Sequence, residues 1–282
     1  MPHIFLNGAR LAYHEWPGSG PTLLCVHGIT ANSHSWDRWA EQLSPTYRLI
    51  AVDLRGRGDS DKPPAYALEV HLDPLCYPQD LEAFCDALGL ETVHYLGHSL
   101  GAMIGVLFAA IHPSRVRRLV LVDGGHDLRP EVTAAIRPAL DRLGVTFASL
   151  DDYLARMKAL PFLVGHWNEY VARYFRYDAE ILADGSARSR VSRAVVEADI
   201  KTLLPLQLGS YHRKIAAPTL VLQAPAGLLT DSDCIMSQEE AERLAAAIPN
   251  ARLATVPGAN HYTILFGLSP RSPAEVHRFL FD

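Results

Sequence analysis

The hydrophobic positions along the chain fall into two alternating kinds of block. Short continuous apolar runs stand at Thr22–Val26, Tyr47–Val52, Thr92–Leu96, Val116–Val122 and Pro218–Leu222. Such runs are typical of strands buried on both faces of a parallel sheet. Between and after them, apolar residues recur at helical spacing in Trp36–Leu43, Gln79–Leu88, Leu100–Ile111, Ser237–Ile248 and Pro273–Phe281. Near the amino end, His3–Leu6 and Arg10–Trp16 flank the turn dipeptide Asn7-Gly8 and predict a β-hairpin, and Arg252–Val256 predicts a last strand. Strands and helices alternating through short connections predict an α/β architecture. Its core is a mostly parallel sheet of about eight strands with helices on both faces.

The alternation stops between about His126 and His212. Only helical patterns are legible there, punctuated by Pro130, Pro138, Pro161, Gly165 and Gly185, with aromatics such as Tyr153, Phe162, Trp167, Tyr170 and Tyr174. An all-helical block between two strands of one sheet predicts a cap over the strands' carboxyl ends, where open α/β sheets bind ligands. The expected division is a core of residues 1–125 and 213–282, with a helical cap of residues 126–212 inserted after the sixth strand.

Composition narrows the partners. A chain of 282 residues can bury a sizeable core, and 49% hydrophobic with 20% charged residues is an ordinary globular balance. The net charge of −5 offers no basic face for nucleic acid. The longest apolar run, Leu100–Ile111, falls well short of a membrane span, and Met1–Leu6 reads as a strand rather than a basic-then-apolar leader. Cys25, Cys76, Cys85 and Cys234 lack CxxC spacing and read as reduced thiols, so a cytoplasmic location is expected, with neither membrane nor nucleic acid as partner. Despite 13 histidines there is no HExxH, and His94 and His98 straddle a strand and a turn, so no metal site is expected. The glycine- and arginine-containing loop Arg55–Lys62 has neither Walker nor Rossmann spacing. It reads as a structural turn with Asp53 paired to an arginine, and no cofactor is expected.

Candidate chemistry centres on Gly97-His98-Ser99-Leu100-Gly101, between a strand and a helix. In that setting G-x-S-x-G is a turn so tight that the residues two before and two after the serine must be small. Ser99 would be held in a strained conformation with its hydroxyl exposed, beside the Leu100 N–H at the helix amino end. A serine nucleophile needs a base, and His261 lies in Pro257–His261, just beyond the last strand and near the carboxyl end. A second N–H, from Ile29, follows Gly28 in the loop after Thr22–Val26 and completes a candidate oxyanion hole. His27 and His98 read as structural histidines. His34 and Trp36, on the same loop as Ile29, are candidate pocket residues, as is Trp167.

With these landmarks the chain resembles the α/β-hydrolase superfamily, in the group with a helical cap after the sixth strand. His27-Gly28, the Asp53–Pro63 loop, Gly97–Gly101 and Pro257–His261 carry the resemblance. It implies Ser99 as nucleophile, His261 as base, and the Ile29 and Leu100 amides as oxyanion hole. A serine at the elbow argues against haloalkane dehalogenases and soluble epoxide hydrolases, which carry aspartate there. Family members usually place the triad acid in a Gly-x-x-Asp turn soon after the seventh strand, but here Gln223–Thr230 intervenes. Counting back from helix Ser237–Ile248 selects Asp233, with Asp123 and Asp231 as alternatives. The implied activity is hydrolysis of a carboxylic ester or lactone of a small apolar or aromatic molecule through an acyl-enzyme on Ser99. Cleavage of a C–C bond in a vinylogous diketone is the alternative within this constellation, and amidase or perhydrolase chemistry also fits it. A non-catalytic small-molecule binding protein is the alternative of a different class.

Overall fold

The computed structural model of the protein describes residues 1–44, 46–63, 68, 73–266 and 271–281. Its strands are β1 (His3–Leu6), β2 (Ala9–Trp16), β3 (Thr22–Val26), β4 (Arg48–Val52), β5 (Val93–His98), β6 (Val116–Val122), β7 (Thr146–Phe147), β8 (Ala179–Ile181), β9 (Ala187–Ser189), β10 (Thr219–Gln223) and β11 (Ala251–Thr255). The helices of the main body are α1 (Asp37–Leu43), α2 (Cys76–Ala87) and α3 (Leu100–Ile111), and, after the segment that follows β6, α10 (Gln238–Ala247) and α11 (Arg271–Phe281). Eight strands make one sheet in the order β1-β2-β4-β3-β5-β6-β10-β11. From β4 to β11 every neighbouring pair is parallel, whereas the β1-β2 hairpin joins β4 antiparallel at one edge. The expected α/β sheet is therefore present.

The sheet has a buried layer on each face because its strands alternate sides. Leu23, Cys25, Leu49, Ala51, Leu96, Val120 and Val122 enter one apolar cluster, with Trp36, Trp39 and the carboxyl-terminal residues Val276 and Phe279. Leu24, Val26, Ile50, Val52, Tyr95, Leu119 and Leu121 enter the other, with Leu81 and Phe84 of α2 and most of α3. Both layers are apolar, which is why these strands read as continuous hydrophobic runs and not as alternating ones. Helix α2 starts three residues earlier than its pattern predicts and carries Pro78 in its first turn. There a missing N–H forfeits no intrahelical bond, so proline does not exclude the residues before it.

Between β6 and β10 the chain forms α4 (Pro130–Ala135), α5 (Arg137–Leu140), α6 (Leu150–Lys158), α7 (Glu169–Asp178), α8 (Arg193–Leu203) and α9 (Gly209–His212). It also forms a three-stranded antiparallel sheet in the order β7-β9-β8, which corrects the expectation that this stretch holds no strand. These strands are two or three residues long, too short to print an alternation on the sequence. The aromatics here pack mainly on one another. Tyr153 meets Phe147 and Phe175 edge-on, and Trp167 stacks on Phe175 at 5.8 Å.

Candidate active site

The register of the central strands brings the candidate residues together. Val26 pairs with Gly97, Gly97 with Leu121, and His98 with Val122, so the loops after β3, β5 and β6 emerge side by side. Leu222 of β10 pairs with Val122 and with Ala254 of β11, and His261 follows β11 on the same edge. This is the carboxyl edge, where such sheets bind ligands.

Ser99 occupies the turn from β5 into α3 with φ 55° and ψ −116°, a conformation that L-residues avoid. The turn closes only with glycine at both ends. A Cβ on Gly97 would lie 2.2 Å from the Gly101 carbonyl oxygen, and one on Gly101 would lie 2.0 Å from that of Val26. The amides of Ile29 and of Leu100, the first residue of α3, find no hydrogen-bond acceptor among the described residues. They are unspent donors at the loop and at the helix amino end.

His261 and an aspartate beside it are both buried. His261 is 4% exposed, and its Nδ1 lies 2.7 Å from Oδ2 of Asp123, which is fully buried. The Asp123 backbone is itself left-handed, with φ 46°, and the Ala224 amide donates to its other carboxylate oxygen at 3.1 Å. This corrects the choice of Asp233, which sits apart. Its carboxylate accepts the amides of Leu228, Leu229 and Thr230 and so ties its own loop into a turn; those bonds hold it below the usual carboxylate range despite partial burial. Asp231 is exposed. Burial disfavours charge on both members of the Asp123–His261 pair, drawing the imidazole below 6.5 and pushing the aspartic acid up to about 6. Burial thus favours a neutral His261 ring near pH 7. With Nδ1 donating to Asp123, Nε2 is the lone-pair nitrogen.

His27 and His98 brace the backbone around the site. His27 Nδ1 donates to the Gly28 carbonyl at 2.8 Å, and its Nε2 accepts the Leu54 amide at 3.1 Å, which fixes the loop carrying Ile29. Burial lowers its pKa to about 4. His98 Nε2 donates to the His261 carbonyl at 2.9 Å and ties the backbone of the His261 loop to the turn that carries Ser99. His14, His34 and Asp37 bring ligand-type atoms within 4.8 Å of one another. Asp37 already pairs with His34 Nδ1 at 3.0 Å and with Arg173 at 3.1 Å, so its charge is balanced by protein.

Ser99 and His261 line one cleft enclosing roughly 700 Å³ of space, its open mouth included. The main body contributes Ile29, Met103, Leu265 and Phe266; the stretch between β6 and β10 contributes Leu128, Val132, Ile136, Tyr174, Ile200 and Leu203. No Lys, Arg, Asp or Glu is among the described residues that line it. The expected pocket residues His34, Trp36 and Trp167 do not line this cleft. Trp36 is fully buried against Trp39, His34 packs on Tyr177 and His14, and Trp167 lies on Phe175. Helical periodicity alone could not have separated Tyr174, which reaches the cleft, from Tyr170, whose hydroxyl donates to Glu41 outside it. In the Arg55–Lys62 loop the expected Asp53–arginine pair is not found among the described residues. Asp53 accepts the amides of Ser33 and Asp59 and the Tyr177 hydroxyl, while Arg55 pairs with Asp80 and Arg57 with Asp199.

A parallel sheet with a strained serine at a glycine-flanked strand-to-helix turn defines the class as an α/β protein with a G-x-S-x-G elbow. A family model described as the alpha/beta hydrolase fold matches residues 21–268, and the chain belongs to that family. It is 30% identical over 249 residues to 2-(acetamidomethylene)succinate hydrolase of Mesorhizobium japonicum, an alignment covering 87% of this chain and 83% of that one. The crystal structure of E-2-(acetamidomethylene)succinate hydrolase superimposes with a TM-score of 0.84 at 23% identity, covering 100% of this chain and 98% of the other. An α/β hydrolase from Novosphingobium aromaticivorans superimposes with a TM-score of 0.79 at 26% identity, covering 99% and 97%. At this level the protein is an α/β hydrolase.

Proposed function

We propose that the protein is a serine hydrolase of uncharged carboxylic esters or lactones, with Ser99, His261 and Asp123 as its triad. The observation that carries this reading is a strained serine sharing an uncharged cleft with an aspartate-bound, neutral histidine. In this reading His261 Nε2 takes the hydroxyl proton as Ser99 Oγ bonds to the substrate carbonyl carbon. The carbonyl oxygen, now an oxyanion, accepts from the Ile29 and Leu100 amides, each worth ~3 kcal/mol in the transition state. Collapse breaks the bond to the alkoxide, which leaves with the proton from His261, and the acyl group stays on Ser99. Water then repeats the sequence, giving its proton to His261 and releasing the acid. Asp123 holds the imidazole in the required tautomer and balances the imidazolium. The stretch from about 126 to 212, which supplies one wall of the cleft, serves as the cap and sets substrate range.

The second reading follows the Mesorhizobium relative: attack by the same serine on a succinate-type substrate. Two carboxylates in an apolar cleft call for cationic partners. None of the described lining residues carries that charge, which favours a neutral acyl group. The test is a panel of neutral acyl esters and lactones of graded length beside 2-(acetamidomethylene)succinate. Turnover of the neutral compounds, abolished in Ser99→Ala, supports the proposal. Turnover of the dicarboxylate alone overturns it in favour of the second reading.

A further inference from the structure

Resting on the oxyanion hole proposed above, we infer that two buried arginines hold its loop in place and that carboxylates from the stretch between β6 and β10 set both arginines. Arg57 and Arg142 are positioning residues: each grips a carbonyl of the loop and neither lines the cleft.

Arg57 is fully buried, and its Nε donates to the Ile29 carbonyl at 2.9 Å. Its Nη1 donates to the Arg55 carbonyl at 2.9 Å and to the Tyr77 hydroxyl at 2.7 Å, and its Nη2 pairs with Asp199 of α8. Tyr77 in turn donates to the Asp199 carboxylate at 3.0 Å. Arg142, 4% exposed, donates from Nη2 to the Thr30 carbonyl at 2.6 Å, where the Tyr174 hydroxyl also donates at 3.2 Å. Its partner is Asp178, the last residue of α7, fully buried and joined by the Tyr153 hydroxyl. The preceding carbonyl, of Gly28, accepts from His27 and from the Ala31 amide. Three successive peptides are therefore fixed, and the Ile29 N–H belongs to the first of them. A planar guanidinium suits this work because its fork holds a carbonyl and a carboxylate at once in one rigid geometry.

The consequence is a division of labour across the chain. Arg57 comes from the main body but its counter-charge comes from α8, and Arg142 with its own counter-charge reaches across from α5–α7. A buried guanidinium deprived of its carboxylate reorganises or recruits water. His27 and the Ala31 amide hold the peptide that carries the Ile29 N–H, but the two peptides after it keep their grip only while the inserted stretch is seated, so the aim of the Ile29 donor depends on that stretch. Such placement matters because a donor displaced by about an ångström loses much of its effect.

The experiment compares the parent with Asp199→Asn, Asp178→Asn and the milder Tyr77→Phe. It reads hydrogen exchange of the peptide spanning 27–31, the rate of phosphonylation of Ser99 by a neutral fluorophosphonate, and kcat and KM on one ester. The expected result is faster exchange in that peptide, with phosphonylation and kcat down by roughly 10- to 100-fold in the aspartate variants and KM changed far less. Tyr77→Phe, which keeps the ion pair, should lie between them and the parent and decides the matter if an aspartate variant fails to fold. Unchanged exchange in the folded variants overturns the mechanical link, and faster exchange at an undiminished phosphonylation rate overturns the positioning role. A parent protein that is not phosphonylated at all overturns the serine-hydrolase reading, whereas the exchange measurement still stands on its own.

Discussion

Asp123 and Asp233 show how one carboxylate differs from another by what surrounds it. Asp123 offers one oxygen to Ala224 and the other to His261, whereas Asp233 spends both on its own loop. Asp123→Asn should therefore lower turnover by about 10⁴-fold while leaving the protein folded, and Asp233→Asn should leave kcat within a few-fold of the parent. Steady-state kinetics of the two purified variants check this, and a crippled Asp233→Asn beside an active Asp123→Asn contradicts it. The pair also predicts a pH dependence. The base must be unprotonated, and burial disfavours the pair's additional proton on the histidine side, so the acidic limb of kcat/KM should lie at or below about 6 instead of at the free-imidazole value. A limb centred at 7 or above would count against this pair as the base. The aspartate that meets His261 could not be found by counting residues because the pairing is set by strand register, not by spacing. The signal that was available is Asp123-Gly124-Gly125 closing β6, where the aspartate takes a left-handed backbone before two glycines.

The elements divide into those whose pattern is local and those fixed by contacts from afar. The elbow was legible because its requirement, glycine on both sides of the serine, is written within five residues and sits between a strand and a helix. The long apolar strands and the capping box of α10, Ser237 with Glu240, are equally local. The β7-β9-β8 sheet and the facing of the aromatics are not local, since short strands and helix rotation are decided by packing. That packing separates two kinds of substitution in the stretch between β6 and β10. Phe175→Ala, among Tyr153, Trp167 and Tyr174, should cost about 3–5 kcal/mol of stability in denaturant unfolding. Ile200→Ala, half-buried at the cleft, should instead shift the kcat/KM ratio between long and short acyl esters by about tenfold. Equal effects of both substitutions on stability, with neither altering selectivity, would remove this stretch from substrate selection.

Across the whole molecule, burial of histidines links stability to acid. His27 and His94 are lowered to about 4, and His98, His126 and His261 are lowered as well, in each case chiefly by desolvation. In the unfolded chain these groups take up protons near 6.5, so below that pH the unfolded state binds more protons and gains on the native one. Stability should hold above about pH 6.5 and fall progressively towards pH 4, lowering Tm by on the order of 10 °C. A Tm flat from pH 7 to 4.5 by scanning calorimetry would contradict the neutral, buried state of these rings. The central claim is that the chain's carboxyl edge is built to make Ser99 a nucleophile. The measurement that tests it most directly is the intact mass of the protein after exposure to a fluorophosphonate, with the modified residue located by peptide mapping. The account predicts one added phosphonyl group on Ser99, absent in Ser99→Ala and formed far more slowly in Asp123→Asn; an unmodified parent, or a label on another residue that persists in Ser99→Ala, would contradict it.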